Sequence, residues 1–325
     1  MIDLLTITTP PLCEEDVSRI VWRNGLQTNS KSGVVFYDNK EIKNLKQQNG
    51  IYICVETNRR LKLIGSLQKY YNEISGNERN NYNAFSMSQA KKAIERLFFD
   101  KGINIENARI YSYEIGINLN VEKDCRAYMN KMKSIGGVGN EKPLYVNSQY
   151  KDERAESTLS HRDVRKYFKV YDKIFEMRDR KKKIIPEGNI LRIETVNRRL
   201  DKCLVTDFFS PDNLKKMVEI FFRDWRTIQF EQDIITPKGT GRARQHLCAD
   251  IMRDGKEIVL IKAKDRHSNG SLSDWEYRNI REFITRDWDE VKNEIRFIKS
   301  VEELEFRELI NVNHTILRHD EIIKC

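Results

Sequence analysis

The stretch ARIYSYEIGINLNV, Ala108 to Val121, alternates so regularly that it predicts a long strand with two unlike faces. Tyr113, Ile115, Ile117, Leu119 and Val121 make one side apolar, whereas Glu114, Gly116, Asn118 and Asn120 fall on the other. A second stretch repeats the pattern. In ILRIETVNRR, Ile190 to Arg199, Leu191 and Ile193 face one way and Arg192, Glu194 and Arg198 the other. A third, YFKVYDKIFEM from Tyr167 to Met177, reads as a strand entering a helix, with Tyr167, Lys169, Tyr171 and Lys173 set against Phe168 and Val170. Three two-faced strands predict an α+β fold: a mainly antiparallel sheet with helices on its apolar face and its polar face open.

If these strands are neighbours, their polar faces bring two carboxylates and a phenol together. Glu114 and Glu194 would supply hard oxygen ligands for Mg²⁺ or Mn²⁺. Tyr171 is the candidate nucleophile. A phenol is weakly nucleophilic near its free pKa of about 10, and a neighbouring cation such as Lys173 favours the phenolate. The same residues admit a plainer reading, in which Glu194 pairs with Arg192 or Arg198, Glu114 is a solvated strand residue, and Tyr171 packs its ring. His161, Asp172 and Glu176 lie close enough along the chain to be weighed beside them, below the two glutamates.

Lys and Arg outnumber Asp and Glu by 58 to 49, an excess that suits a polyanionic partner. The run Arg178, Arg180, Lys181, Lys182 and Lys183 follows the tyrosine strand directly, where phosphates would need neutralising. Lys69 in SLQKYYN stands beside two stackable rings, and Lys169, Arg192 and Arg198 share the polar face. These are the candidate DNA-binding residues.

Elsewhere the chain reads as conventional elements. An opening strand, Ile2 to Thr9, is expected to end at Pro10 and Pro11, and Ile51 to Glu56 with Leu61 to Ser66 forms a hairpin. Ser86 and Gln89 make a capping box for a helix that Gly102 stops. Further helices are expected from Glu122 to Met132, from Ser210 and Pro211, from Ser273 with Glu276, and from Ser300. Ile235 to Arg244 reads as a basic loop and Glu257 to Lys262 as a short strand. A boundary near 200 to 209 divides a catalytic domain, 1–205, from a mostly helical one, 206–325.

Several classes are excluded or disfavoured. No GxxxxGK[ST] or GxGxxG pattern occurs, which argues against a nucleotide-binding loop. The six cysteines contain no CxxC pair and are expected to be reduced thiols. No run approaches the roughly 18 apolar residues of a membrane span, and MIDLLTITTPPL lacks the basic start of a signal peptide, so a soluble intracellular protein is expected.

The strand YEIGINLNV, the segment SLQKYYN, the YFKVYDK run and the closing LRIETVNRR together resemble, in their order and spacing, the gene II-type rolling-circle replication initiators of filamentous phages and related mobile elements. The YDK form with Glu176 beyond it is also similar, more faintly, to initiators of staphylococcal plasmids. The resemblance covers roughly the first two-thirds of the chain. It implies site-specific nicking of double-stranded origin DNA, a covalent 5′-phosphotyrosine, a 3′-hydroxyl primer on single-stranded DNA, and work in the cytoplasm of a bacterial host.

On this resemblance the nucleophile falls on Tyr171 with Lys173, and the metal carboxylates on Glu114 and Glu194. One departure is plain: none of the five histidines forms the His-hydrophobic-His pair of many such initiators, so the metal site must be carboxylate-based. A mobilisation relaxase with the same chemistry and a non-catalytic DNA-binding regulator remain as alternatives. The helical half is left with origin recognition, dimerisation or recruitment of a host helicase.

Overall fold

The computed structural model describes residues 1–31, 34–39, 50–137, 139–146, 157–182 and 184–320. Its strands up to residue 204 are β1 (Ile2–Pro11), β2 (Gln27–Lys31), β3 (Val34–Asp38), β4 (Tyr52–Val55), β5 (Arg60–Ser66), β6 (Arg109–Val121), β7 (Met132–Ile135), β8 (Lys142–Pro143), β9 (Tyr145–Val146), β10 (Thr158–Arg162), β11 (Lys166–Asp172) and β12 (Asn189–Leu204). Ten of them form one sheet in the order β2-β3-β4-β5-β1-β6-β12-β11-β10-β9, antiparallel at every step. The three two-faced strands of the sequence are thus adjacent. This is the expected α+β architecture.

The apolar face of that trio is closed by aromatic packing. Trp225 sets its ring 5.9 Å from Phe168 and donates from Nε1 to Thr195 Oγ1 at 3.0 Å, while Tyr113 meets Phe208 edge-on at 4.9 Å. The helix responsible, Pro211–Arg226, begins with proline at its first turn, where a missing N–H costs nothing. Its buried stripe is Leu214, Met217, Val218, Phe221, Phe222 and Trp225, each contributing about 2 kcal/mol by burial.

The compact units are Met1–Gln229 with Glu302–Cys325, and Phe230–Val301. Two features move the division away from the expected 205/206. The helix Pro211–Arg226 belongs to the sheet it covers, and the last helix, Val301–Arg318, returns to that unit through Lys123–Glu302 at 2.7 Å, Lys131–Glu302 at 3.0 Å and Arg318–Glu219 at 2.7 Å. The unit 230–301 is mainly helical, around Cys248, Ile251, Val259, Phe283, Ile284 and Trp288.

Three local expectations change. The opening strand runs through both prolines to Pro11, because Thr9 Oγ1 accepts from Leu61 N–H at 3.1 Å beside a register shift and so satisfies a ladder donor there. The expected helix Glu122 to Met132 shrinks to Cys125–Met129, capped by Asp124, and the chain re-enters a strand at Met132. The expected strand Glu257 to Lys262 lies inside a helix, Lys256–Ser268. Its run was too short to fix a period, and the i,i+4 pair Val259 and Ala263 is what turns inward.

Candidate active site

The register of β6, β12 and β11 places the polar residues in rows. Lys169, Glu194 and Gly116 stand side by side; Tyr171, Arg192 and Asn118 form the row on one side, and Tyr167, Val196 and Glu114 the row on the other. Glu194 is the centre of the array. Gly116 makes room for it, since a Cβ there would lie 2.7 Å from Glu194 Cγ and 2.8 Å from Ile193 O.

The side chains converge as the rows suggest. Lys169 Nζ lies 2.8 Å from Glu114 Oε1 and 2.6 Å from Glu194 Oε2. Tyr171 Oη donates to Glu194 Oε1 at 2.9 Å, and Arg192 Nε donates to the same oxygen. Arg192 also reaches Asp3 Oδ2 at 3.2 Å, Asn118 Oδ1 at 3.0 Å and Asn81 O at 3.0 Å. Lys173 Nζ donates to Asn81 Oδ1 at 3.0 Å and Glu176 Oε2 at 2.7 Å. Around them is an open cleft of about 330 Å³, into which Lys69, Tyr167, Tyr171 and Arg180 also face. A larger hollow, about 630 Å³, is lined by one acid, Glu56, with Arg60, Lys62 and Arg109.

Burial sets the electrostatics, Glu194 being 1% and Arg192 2% exposed. Burial alone would raise Glu194, but Arg192 and Lys169 outweigh it and hold the carboxyl well below the usual range. Glu114 goes the other way, pushed up to about 8 by burial and by the charge of Glu194, against the pull of Lys169. Burial, then Glu194, raises the Tyr171 phenol well above 10. Burial also lowers Lys173, with Arg192 adding to the effect.

Most of the expected site residues meet here. Tyr171, Lys173, Glu114, Glu194 and Lys169 share the cleft. Arg192, expected on DNA, is an internal brace, too buried to meet a phosphate. Lys69 is half-buried in the cleft wall and its pKa is lowered by burial. Arg178, Lys181 and Lys182 are exposed, Arg180 is held by Glu176 at 2.7 Å, and Arg198 lies 5.7 Å over the Tyr167 ring. Lys183 lies outside the described residues. Asp172 caps the helix Lys173–Asp179 by accepting from Phe175 N–H at 2.9 Å. His161 sits opposite Phe168 and therefore on the other face, with Nδ1 2.9 Å from Pro143 O.

Two contributors went unnoticed in the sequence. Asp3 was an acid in an apolar strand, a signal of a buried partner, and Asn81 lay in a polar loop with no pattern of its own. Gly116 and Asn118 were placed on the correct face but given no role.

The donor set does not fit a divalent cation as it stands. Among the described residues no group of three or more His, Cys, Asp or Glu is arranged to hold a metal ion. The facing oxygens of Glu114 and Glu194 are already bridged by an ammonium, and the other Glu194 oxygen is taken by Tyr171 and Arg192. Among the same residues no helix is long and apolar enough to cross a membrane.

No family model matches the sequence, and no curated protein matches it. Among solved structures the chain is similar to a rolling circle replication initiator protein from Geobacillus stearothermophilus, with 12% identity and a TM-score of 0.37 over 75% of this chain and 89% of that one.

Proposed function

We propose that this chain nicks and rejoins DNA by tyrosine transesterification, as a rolling-circle replication initiator does. The observation that carries the reading is the row arrangement: two tyrosines on one strand, flanking a lysine and two acids, face one open cleft. A phenol oxygen attacks the backbone phosphorus, the P–O3′ bond breaks, and the proton lost by the phenol is matched by the one gained at the released 3′-hydroxyl. The phosphotyrosine ester conserves the bond for rejoining without ATP. Positive charge for the phosphate comes from Lys169 and the half-buried Lys69 in the cleft, and Arg178, Lys181 and Lys182 are exposed along the exit from β11 to hold the flanking strand.

The nucleophile has two candidates. Tyr171 is the residue expected from sequence, yet its hydroxyl is turned inward onto an ionised carboxylate and its pKa is raised, so it must break that bond to attack. Tyr167, two places along the same face beyond Lys169, lines the same cleft with Lys169 Nζ 5.9 Å and Arg198 5.7 Å from its ring centre. That placement favours Tyr167 as a second reading, with Tyr171 then orienting Glu194.

A supercoiled plasmid carrying the element's own origin, incubated with the protein and then denatured, tests the reaction class. Nicked DNA with covalently attached protein is expected, and it should vanish with one of Tyr167→Phe and Tyr171→Phe while DNA binding persists. If both variants nick like the parent, the chemistry is wrong and a DNA-binding regulator is the better account. A mobilisation relaxase shares the chemistry and would be separated by an origin of transfer as the preferred substrate.

A further inference from the structure

The oxygens best placed to hold a metal ion in the cleft are those that Lys169 already occupies. Its Nζ donates to Glu114 Oε1 at 2.8 Å and lies 2.6 Å from Glu194 Oε2, a buried oxygen that accepts no hydrogen bond and has this ammonium as its ion-pair partner. The position is fixed by the fold, because Lys169 pairs directly with Glu194 in the β11–β12 ladder and Glu114 lies one row along β6. The lysine side chain is 22% exposed, so its ammonium is largely withdrawn from water and has these acids as its partners.

We propose that Lys169 is the resident cation of the cleft, and that its ammonium and a divalent metal ion are mutually exclusive occupants of the space between Glu114 and Glu194. The inference deepens the functional reading of this cleft, but it concerns cation binding and is measured without DNA. Two facts support exclusion. The ammonium touches both facing oxygens, so no ion can sit between them without displacing it. The remaining Glu194 oxygen is committed to Tyr171 and Arg192 and cannot turn toward a metal without breaking both contacts. With Lys169 in position, the charge that meets a phosphate belongs to the chain itself.

Manganese binding to the full chain, followed by electron paramagnetic resonance and calorimetry at neutral pH, tests this. The parent protein should show no Mn²⁺ site in the cleft tighter than about 1 mM. Lys169→Met should gain one site at least about tenfold tighter, lost again in the double variant Lys169→Met with Glu114→Gln. Lys169→Arg, which keeps a cation there, should bind like the parent. The proposal is overturned if the parent already binds one Mn²⁺ below about 0.1 mM and loses it on Glu114→Gln, or if folded Lys169→Met binds no better than the parent. Should Lys169→Met not fold, the parent and Glu114→Gln decide: equal, weak binding supports exclusion, and tight binding lost on substitution refutes it. None of these outcomes depends on nicking, so failure of the transesterification reading would show separately.

Discussion

The two faces of β6, β11 and β12 are made by alternate residues of the same strands, yet they are held in opposite ways. On one, Phe168 meets Trp225 and Tyr113 meets Phe208 through ring edges, with an indole bond from Trp225 to Thr195. On the other, Arg192 serves Asp3, Glu194, Asn118 and Asn81 at once, and Lys169 serves two glutamates. The apolar face can absorb a change of shape by repacking. The polar face holds an interlocked set of charges, in which removing one member leaves partners such as Glu194, 1% exposed, buried and unpaired.

The largest test of that contrast is Arg192→Met against Phe168→Leu. The first leaves Asp3 and Glu194 buried without their shared partner and should cost about 3–5 kcal/mol in urea unfolding; the second should cost less than about 1.5 kcal/mol. Equal losses would erase the distinction. Next is Gly116→Ala, whose methyl group collides with Glu194 Cγ and the Ile193 carbonyl. A loss of about 1–3 kcal/mol is expected, with displacement of Glu194 visible in the tyrosine environment by near-ultraviolet circular dichroism. A surface position of the same strand would not show the second effect.

A pH test sharpens the picture further. The Glu114 pKa is raised in the folded chain, so its favourable contribution is complete below the unfolded value near 4.5 and is lost as pH rises through about 8. Parent stability should therefore decline across that window relative to Glu114→Gln, by about 1–2 kcal/mol once Lys169 and Glu194 readjust. Parallel thermal-unfolding curves for the two proteins would show that Glu114 is ionised throughout. The smallest expected effect is that of Lys181→Ala with Lys182→Ala. Stability should move by less than about 0.5 kcal/mol, while DNA affinity falls and its salt dependence flattens.

The alternation of three strands was enough to place Tyr167, Lys169, Tyr171, Glu114, Arg192 and Glu194 on one face, because side-chain direction in a strand is a local property. Helix starts were legible for the same reason: both capping boxes, Ser86 with Gln89 and Ser273 with Glu276, form as read. What no local pattern carries is which residues stand opposite one another. Glu194 sits across from Gly116 and Lys169, and Asp3 arrives from the first strand, only through pairings dozens of residues apart or more. That register turned Arg192 from an expected phosphate contact into an internal brace and put Lys169 where a metal ion was expected. The short run at Glu257 was misread as a strand because its packing partners, Cys248 and Phe283, lie outside the run itself.

The strand that bears both tyrosines is no edge of the sheet. β11 is stitched to β10 on one flank and β12 on the other, and it passes into a capped helix without an intervening loop. A polymer tethered to either phenol would pull along the ladder, where neighbouring peptide bonds share the tension in shear, so the joint could withstand a hauled DNA strand without unzipping.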